Sequence, residues 1–549
     1  MKSNTIGFKL SKYYIYSYLS IIMKVASAQP SIIYQQCYGG SNDDYFNYAA
    51  QTIDGGVITT ITSGSYDGDL EGVINPTGWV IKFNSSIELE WQKFYNSAEY
   101  ECAPIKPLCL SDGNYTFGGY GLDGCRNYNG GLDLLLLHTS SSGDTIWTQC
   151  YGSETDEKFT DVIQTLDGGY LILGTSYGSG GDIPIHYGTT CCEDAIILKT
   201  DSLGQINWIK VLGGSQNDVP IANSVEISRG FYQIHIFSSS NDYDLSDCPV
   251  TDLRKRWILT IDSSGNIINE NFLSAETDFF NFEHSIVKYK EYTLSAGSGN
   301  AASTSFPPEA GHAMEEGSIA FFDSTLNLVN MLSFGGSHDD RFSTMSIDSA
   351  GNLYFFGYSS SLDFDVPDNL NDGLANDYWI MSTDSNFQPL WSQNFGGNNF
   401  DGDYLSGPVG NLVIIDQVVY IFTSCISNAL IPNQDINCSR LGDGLPENNF
   451  RDAWIVGLSI PTNIANLSPT PPHITLSPNP AKDQCIISVE DGSTIDFIQI
   501  FDALQRPVFR QPFVQNTSIS LAGLNEGIYF VGLYSSTGLI WCEKLIIAQ

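Results

Sequence analysis

FTDVIQTLDGGYLILGTSYGSGGDIPIHYGTTCCEDAIILKTDSLGQINWIKVLGG, residues 159–214, holds one clean copy of the pattern that decides the fold. Val162 to Thr165 is a short run rich in β-branched residues, and Asp167-Gly168-Gly169 supplies a hairpin-type turn. Tyr170 to Thr175 reads as a second strand, and a long polar loop separates it from a third at Ala195 to Thr200. Asp201-Ser202-Leu203-Gly204 turns the chain into a fourth strand, Ile206 to Leu212. No window offers a 3.6-residue apolar period over ten positions. One copy is therefore a four-stranded antiparallel unit, with strands A to D in chain order.

The glycine mark that ends the unit recurs. Leu212-Gly213-Gly214-Ser215 matches Tyr38-Gly39-Gly40-Ser41, Tyr151-Gly152-Ser153, Phe334-Gly335-Gly336-Ser337 and Phe395-Gly396-Gly397, with degenerate copies at Tyr95-Asn96-Ser97 and Leu273-Ser274-Ala275. The marks lie 56 to 61 residues apart. Four strands per repeat at that period predict a seven-bladed β-propeller; a β-solenoid would need shorter, parallel coils. Strand D precedes each mark at 32–38, 89–95, 146–151, 207–212, 267–273, 329–334 and 390–395, whereas the last A-B-C set ends at 453–458 with no strand D after it. The orphan strand at 32–38 is expected to complete the last blade and leave no open edge.

Composition narrows the function. Among 549 residues there are 62 acids against 24 Lys plus Arg, a formal net charge of −38. That balance argues against nucleic acid, whose phosphates require clustered cations. Residues 1–28 read as a signal peptide: Lys2, Lys9 and Lys12, an apolar centre from Tyr13 to Met23, and Ala26-Ser27-Ala28 as the cleavage site. No segment reaches transmembrane length. Export makes the twelve cysteines disulfide formers, and Cys102/Cys109, Cys425/Cys438 and Cys485/Cys542 are the first pairs to test.

In an up-and-down blade the D–A and B–C connections share one face. Acids follow the glycine mark at Asp43/Asp44, Glu99, Asp156/Glu157, Asp218, Asp278, Asp339/Asp340 and Asp401, and B–C loops add Asp67, Asp69, Asp182, Asp242, Asp244, Asp363 and Asp365. The D-x-D pairs at 67/69, 242/244 and 363/365 are candidate Ca²⁺ ligands, since that hard cation takes several oxygens; the alternative is that each Asp accepts backbone N–H groups in its own loop. Gly174 to Gly178 matches G-x-S-x-G, but a nucleophile elbow needs a following helix and a polar loop follows here. Trp91, Trp147, Trp208 and Trp391 recur in strand D, as blade packing would require. The sequence nominates no catalytic residue.

Residues 461–473 form a Pro-rich linker, which bounds a propeller at 29–460 and a domain at 474–549 sized for a small Ig-like β-sandwich. That tail carries Pro478-Asn479-Pro480-Ala481, Ile500-Phe501-Asp502, Leu521-Ala522-Gly523-Leu524, Gly527-Ile528-Tyr529-Phe530-Val531 and Lys544-Leu545-Ile546. These steps resemble, in order, the type A C-terminal sorting domain of the type IX secretion system. Gln505 departs from the family, which usually has Gly there, and Cys485 and Cys542 lie outside its pattern. The resemblance implies export to the surface or medium, with the secretion machinery as a partner through Pro478, Asn479, Pro480, Asp502, Gly523, Leu524, Gly527, Tyr529 and Lys544. The repeats are similar to blades common in such secreted proteins. The reading that follows is a non-enzymatic module binding an extracellular glycan or protein through its acidic face. The alternatives are a polysaccharide hydrolase or lyase using acids from several blades, and a structural surface-layer component.

Overall fold

The computed structural model describes residues 29–73, 78–97, 100–122, 125–188, 192–221, 224–250, 254–274, 280–299, 315–366, 376–396, 410–425, 435–436, 451–461, 474–489, 495, 497–501, 507–513, 517–524, 526–535 and 538–548. Residues 1–28, expected as a signal peptide, most of 461–473, expected as a linker, Glu99, Asp278, Asp401, Cys438 and Asp502 lie outside them. Among the described residues the regular structure is β, without an α-helix.

From Asp44 to Phe395 the chain lays down one antiparallel sheet after another, each made of strands A to D in order: 44–94, 96–151, 157–212, 218–274, 280–334 and 340–395. The sheet at 96–151 gains a short outer strand, Asn96–Ser97, and the one at 218–274 splits its first strand in two. The last sheet takes Asn411–Ile415, Val418–Cys425 and Asp452–Ser459 from its own repeat, and its fourth strand is Ile32–Tyr38 from the chain's start. Gln36 faces Ile455 and Tyr38 faces Ala453 in that pairing. This β-propeller topology is what the repeat required.

Burial explains why the strands read as they do. Strands B and C are buried almost end to end, as in Tyr170–Ser176 and Asp194–Thr200, because sheets pack on both of their faces. Strand D, as in Ile206–Leu212, is exposed at its start and buried at its end. Neighbouring sheets share apolar clusters: Leu134, Leu136, Ile172 and Ile196 in one, Leu171, Ile197, Ile234 and Trp257 in the next. The last and first sheets pack in the same way, with Phe46 edge-on to Phe422 at 5.3 Å between ring centroids.

Three of the four strand D tryptophans, Trp91, Trp147 and Trp208, pack against the next sheet. Trp208 sits against Gly265 in the next sheet's C–D turn and donates Nε1–H to Ser263 O at 2.8 Å. Trp91 and Trp147 lie against Gly143 and Gly204 in the same fashion, while the Tyr95 and Tyr151 hydroxyls donate to those glycines' carbonyls at 2.6 Å. Gly204 has φ +75°, so the turn needs glycine for its backbone as well as for the ring above it.

The expected disulfides are corrected. Cys102 and Cys109 lie at opposite ends of the single strand Tyr100–Cys109, about 23 Å apart at 3.3 Å per residue, and neither is in a disulfide. Cys425 and Cys485 are not disulfide-bonded either. Cys125–Cys150 is bridged and ties a B–C loop to strand D of the second sheet, and Cys37 is disulfide-bonded as well.

The tail, described by itself, has a three-stranded sheet (Ile474–Ser477, Gln484–Val489, Thr517–Ser520) and a four-stranded one (Pro507–Pro512, Phe497–Phe501, Gly527–Ser535, Gly538–Ile547) around a shared core that includes Ile487, Ile498, Val531 and Leu545. Its first and last motifs meet. Asn479 Oδ1 accepts the Ile546 N–H at 2.9 Å, and Ala481 N–H donates to Ile546 O at 2.8 Å.

Candidate functional site

The glycine marks are where the chain crosses from one sheet to the next, and four crossings share one construction. The first residue of strand A is an acid whose backbone N–H bonds the carbonyl just before strand C of the preceding sheet: Glu157 to Leu132 O (2.6 Å), Asp218 to Glu193 O (2.7 Å), Asp340 to Glu315 O (3.0 Å) and Asp44 to Arg451 O (2.7 Å). Its side chain turns back onto the crossing loop. Asp44 Oδ2 accepts Gly40 N–H and Ser65 Oγ–H, both at 2.8 Å, and Oδ1 accepts the Ser63 hydroxyl. Asp218 and Asp340 repeat this with Gly214 and Ser240, and with Gly336 and Ser361. Glu157 takes Ser153 N–H at 2.8 Å and the Ser153 and Ser176 hydroxyls at 2.7 and 2.6 Å. The sequence places these acids in the D–A connections; they are instead fully buried strand residues. Ser176 of the G-x-S-x-G match is buried in this network, which accounts for the serine in repeat terms.

The B–C loop clamps the same crossing from outside. Asp69 N–H donates to Gly39 O (3.0 Å) while Asp69 Oδ2 accepts Gly39 N–H (3.1 Å), and Asp67 Oδ1 accepts Ser41 N–H (2.7 Å). Asp244 and Asp242 grip Gly213 and Ser215 identically, as do Asp365 and Asp363 with Gly335 and Ser337. Asp182 Oδ2 accepts Gly152 N–H at 3.3 Å and an Asn129 amide hydrogen at 2.9 Å. Each predicted site aspartate thus has a carboxylate oxygen engaged by backbone N–H.

A second acid, at the head of strand C in five sheets, escaped the sequence reading. Strand C opens with Asp133, Asp194, Glu316, Asp377 and Asp452 in five sheets, all essentially inaccessible to solvent. A Cβ built on Gly152 would collide with both Asp133 Oδ1 and Glu157 Oε2, one on Gly335 with Glu316 Oε2 and Asp340 Oδ2, and one on Gly213 would crowd Asp194 and Asp218. Carboxylates from adjacent sheets therefore converge on the glycine, which must lack a side chain. Burial, helped by the charges of Glu157 and Asp182, pushes Asp133 up to about 7 despite the Asn129 N–H. Burial likewise raises Asp218 to about 6 and Asp340 to about 7, with Asp194 and Glu316 adding to it against the hydrogen bonds each acid accepts.

The construction is not universal. At the crossing into the second sheet Cys102 stands where Asp44 does in its own sheet, facing Gly121 rather than a serine, and Gly78 precedes strand C of the first sheet. In the fourth sheet Lys255 opens strand C, its Nζ donating to Ser240 O and Asn241 Oδ1 at 2.6 Å. Cys37, Cys425 and Asp452 form the one cluster of three ligating atoms among the described residues, but Cys37 is disulfide-bonded and offers no thiolate.

Where the third sheet crosses to the fourth, a cavity of about 450 Å³ opens on the same face, lined by Ser215, Gln216, Ser239, Asn241, Asp242 and Arg254. Hydroxyl, amide, carboxylate and guanidinium groups line it, the donor and acceptor mixture that hydroxyl-rich ligands use.

Residues 475–548 match the family described as the secretion system C-terminal sorting domain. No curated protein matches the chain. Among solved structures it is similar to BBS1N in complex with ARL6DN (7% identity, 80% of this chain and 99% of that one, TM-score 0.40). It is also similar to the Dos1 propeller (13%, 78% and 96%, 0.36) and to the phage phi92 endosialidase (10%, 92% and 77%, 0.37). The propeller assignment rests on the sheet topology itself. Among the described residues no helix is long and apolar enough to cross a membrane. The tail is a type IX secretion sorting domain, through which the chain engages that machinery, and the protein is secreted or displayed at the cell surface.

Proposed function

We propose that the sheets between 30 and 460 are the blades of a seven-bladed ring closed by Ile32–Tyr38, that the tail is an Ig-like sandwich, and that the exported ring is a non-enzymatic binding module for extracellular glycan. The observation that carries the binding reading is the polar cavity at Ser215–Arg254, because it lies on the face where crossings and B–C loops gather and contains Asp242 from the sequence candidates. The residues that line it all carry hydrogen-bonding side chains, suited to sugar hydroxyls. The other predicted aspartates support that face by fixing its loops.

Calorimetric titration of the full chain with a panel of neutral and acidic polysaccharides tests this. Binding to at least one, weakened roughly tenfold or more in an Asn241→Ala/Arg254→Ala variant of unchanged thermal stability, supports the reading. Full affinity in that variant would move the binding site elsewhere, and release of reducing ends from the polysaccharide would favour the hydrolase reading.

A further inference from the structure

We propose that Asp133 is a neutral carboxylic acid whose Oδ1–H donates to ionised Glu157, so that a proton shared between two acids joins the second sheet to the third. Asp133 Oδ2 accepts the Asn129 N–H at 2.8 Å, but Oδ1 has no hydrogen-bond partner among the described residues although the side chain is fully buried. An orphaned buried oxygen is costly, and its placement has to be explained. It faces Glu157 Oε2 across Gly152. Both Glu157 oxygens already accept hydrogens, from Ser153 N–H and from the Ser153 and Ser176 hydroxyls, so Glu157 is surrounded as an ionised acceptor. A carboxylate at Asp133 would set two like charges together in a dry site; a carboxylic acid turns the same contact into a donor–acceptor pair.

The surrounding charges leave the proton as the occupant. Asp182 and Asp156 add negative charge: Asp182 grips Gly152, and Asp156 Oδ1 accepts the Leu132 N–H at 2.9 Å. Lys158, next to Glu157 in the chain, turns its Nζ to Glu193 at 2.5 Å. Calcium needs six or more oxygens, whereas the crossing offers two facing ones, and the neighbouring Asp182 Oδ2 is held by Gly152 and Asn129. The sequence supplies its own control: where the strand A acid is replaced by Cys102, the preceding repeat has Thr77 and no acid five residues before Lys82, the place Asp194 holds before Lys199.

Infrared difference spectroscopy of the full chain against its Asp133→Asn variant, across neutral pH, tests the assignment. A protonated-carboxyl band present in the parent at mildly acidic to neutral pH and missing from Asp133→Asn is expected. Asn can still donate to Glu157, so this variant keeps its melting temperature and loses the pH-dependent part contributed by the pair, while Asp133→Ala melts lower throughout. In Glu157→Gln the band disappears at lower pH, because the repelling charge is gone. A parent spectrum without the band overturns the proposal. So does a melting temperature that rises with calcium, falls with chelator, and loses both responses in Asp133→Asn, which would make the crossing a cation site.

Discussion

Two neighbouring crossings solve the same problem with opposite chemistry. Into the third sheet, Asp133, Glu157 and Ser176 form a buried polar joint around Gly152. Into the second, Cys102 and Gly121 take the acid and serine positions, and Cys102 clusters with Cys125 and Cys150, themselves bridged. Acid, hydroxyl donor and partner acid leave together, so the polar joint behaves as one unit: a buried carboxylate is tolerable only when its donors come with it. The sulfur-lined joint needs no donors and gains a covalent tie instead.

Transplanting one piece of the polar joint should break that comparison most severely. Cys102→Asp would bury a carboxylate opposite Gly121, which has no hydroxyl, and should cost roughly 4 kcal/mol or abolish folding, read as loss of soluble protein or a large fall in Tm. Gly152→Ala is expected to cost about 3 kcal/mol because its Cβ meets both carboxylates, whereas Gly113→Ala, with open space around a turn glycine at φ +85°, should cost only about 1 kcal/mol. Denaturant melts of the two variants check the ratio. Replacing Cys125 and Cys150 by serine should cost roughly 2–3 kcal/mol through the lost loop constraint, and reductant should lower the parent's stability by more than the variant's, which keeps the disulfide at Cys37.

The sequence made one of these joints half visible. The repeat, the strands and the closing strand were legible because turn glycines and β-branched runs are local signals: Ile206 to Leu212 and 32–38 stand as the sequence placed them. Strand A was read short, because the acid at its head looks like a loop residue until its backbone is seen pairing with the previous sheet; the observed strand starts at Glu157, not Val162. Asp133 and its counterparts recur before every strand C but two, a pattern available to inspection, yet their meaning lies in contacts between repeats that no single repeat encodes. The disulfides failed for the same reason: spacing along the chain said nothing about Cys102 and Cys109 occupying the two ends of one strand. The cavity at Arg254 had no sequence signal beyond Asp242.

The polar joints also set a pH dependence opposite in sign to that of the turn acids. Against its own burial, Asp54 is held below the usual carboxylate range by Thr52, Lys82 and Gly56, and Asp167 similarly by Thr165, Gly169 and Lys199. Those two contribute stability at neutral pH that is lost as pH falls through their lowered values. Asp133, Asp218 and Asp340 have raised values of about 7, 6 and 7, so their contribution is full below the unfolded value near 4 and is lost as pH rises through 6 to 7. The most direct test of the buried-acid joints is the melting temperature of the full chain at about pH 5.5 and about pH 8, at fixed ionic strength. The joints predict a higher Tm at the acidic value; a Tm equal or higher at pH 8 would contradict them.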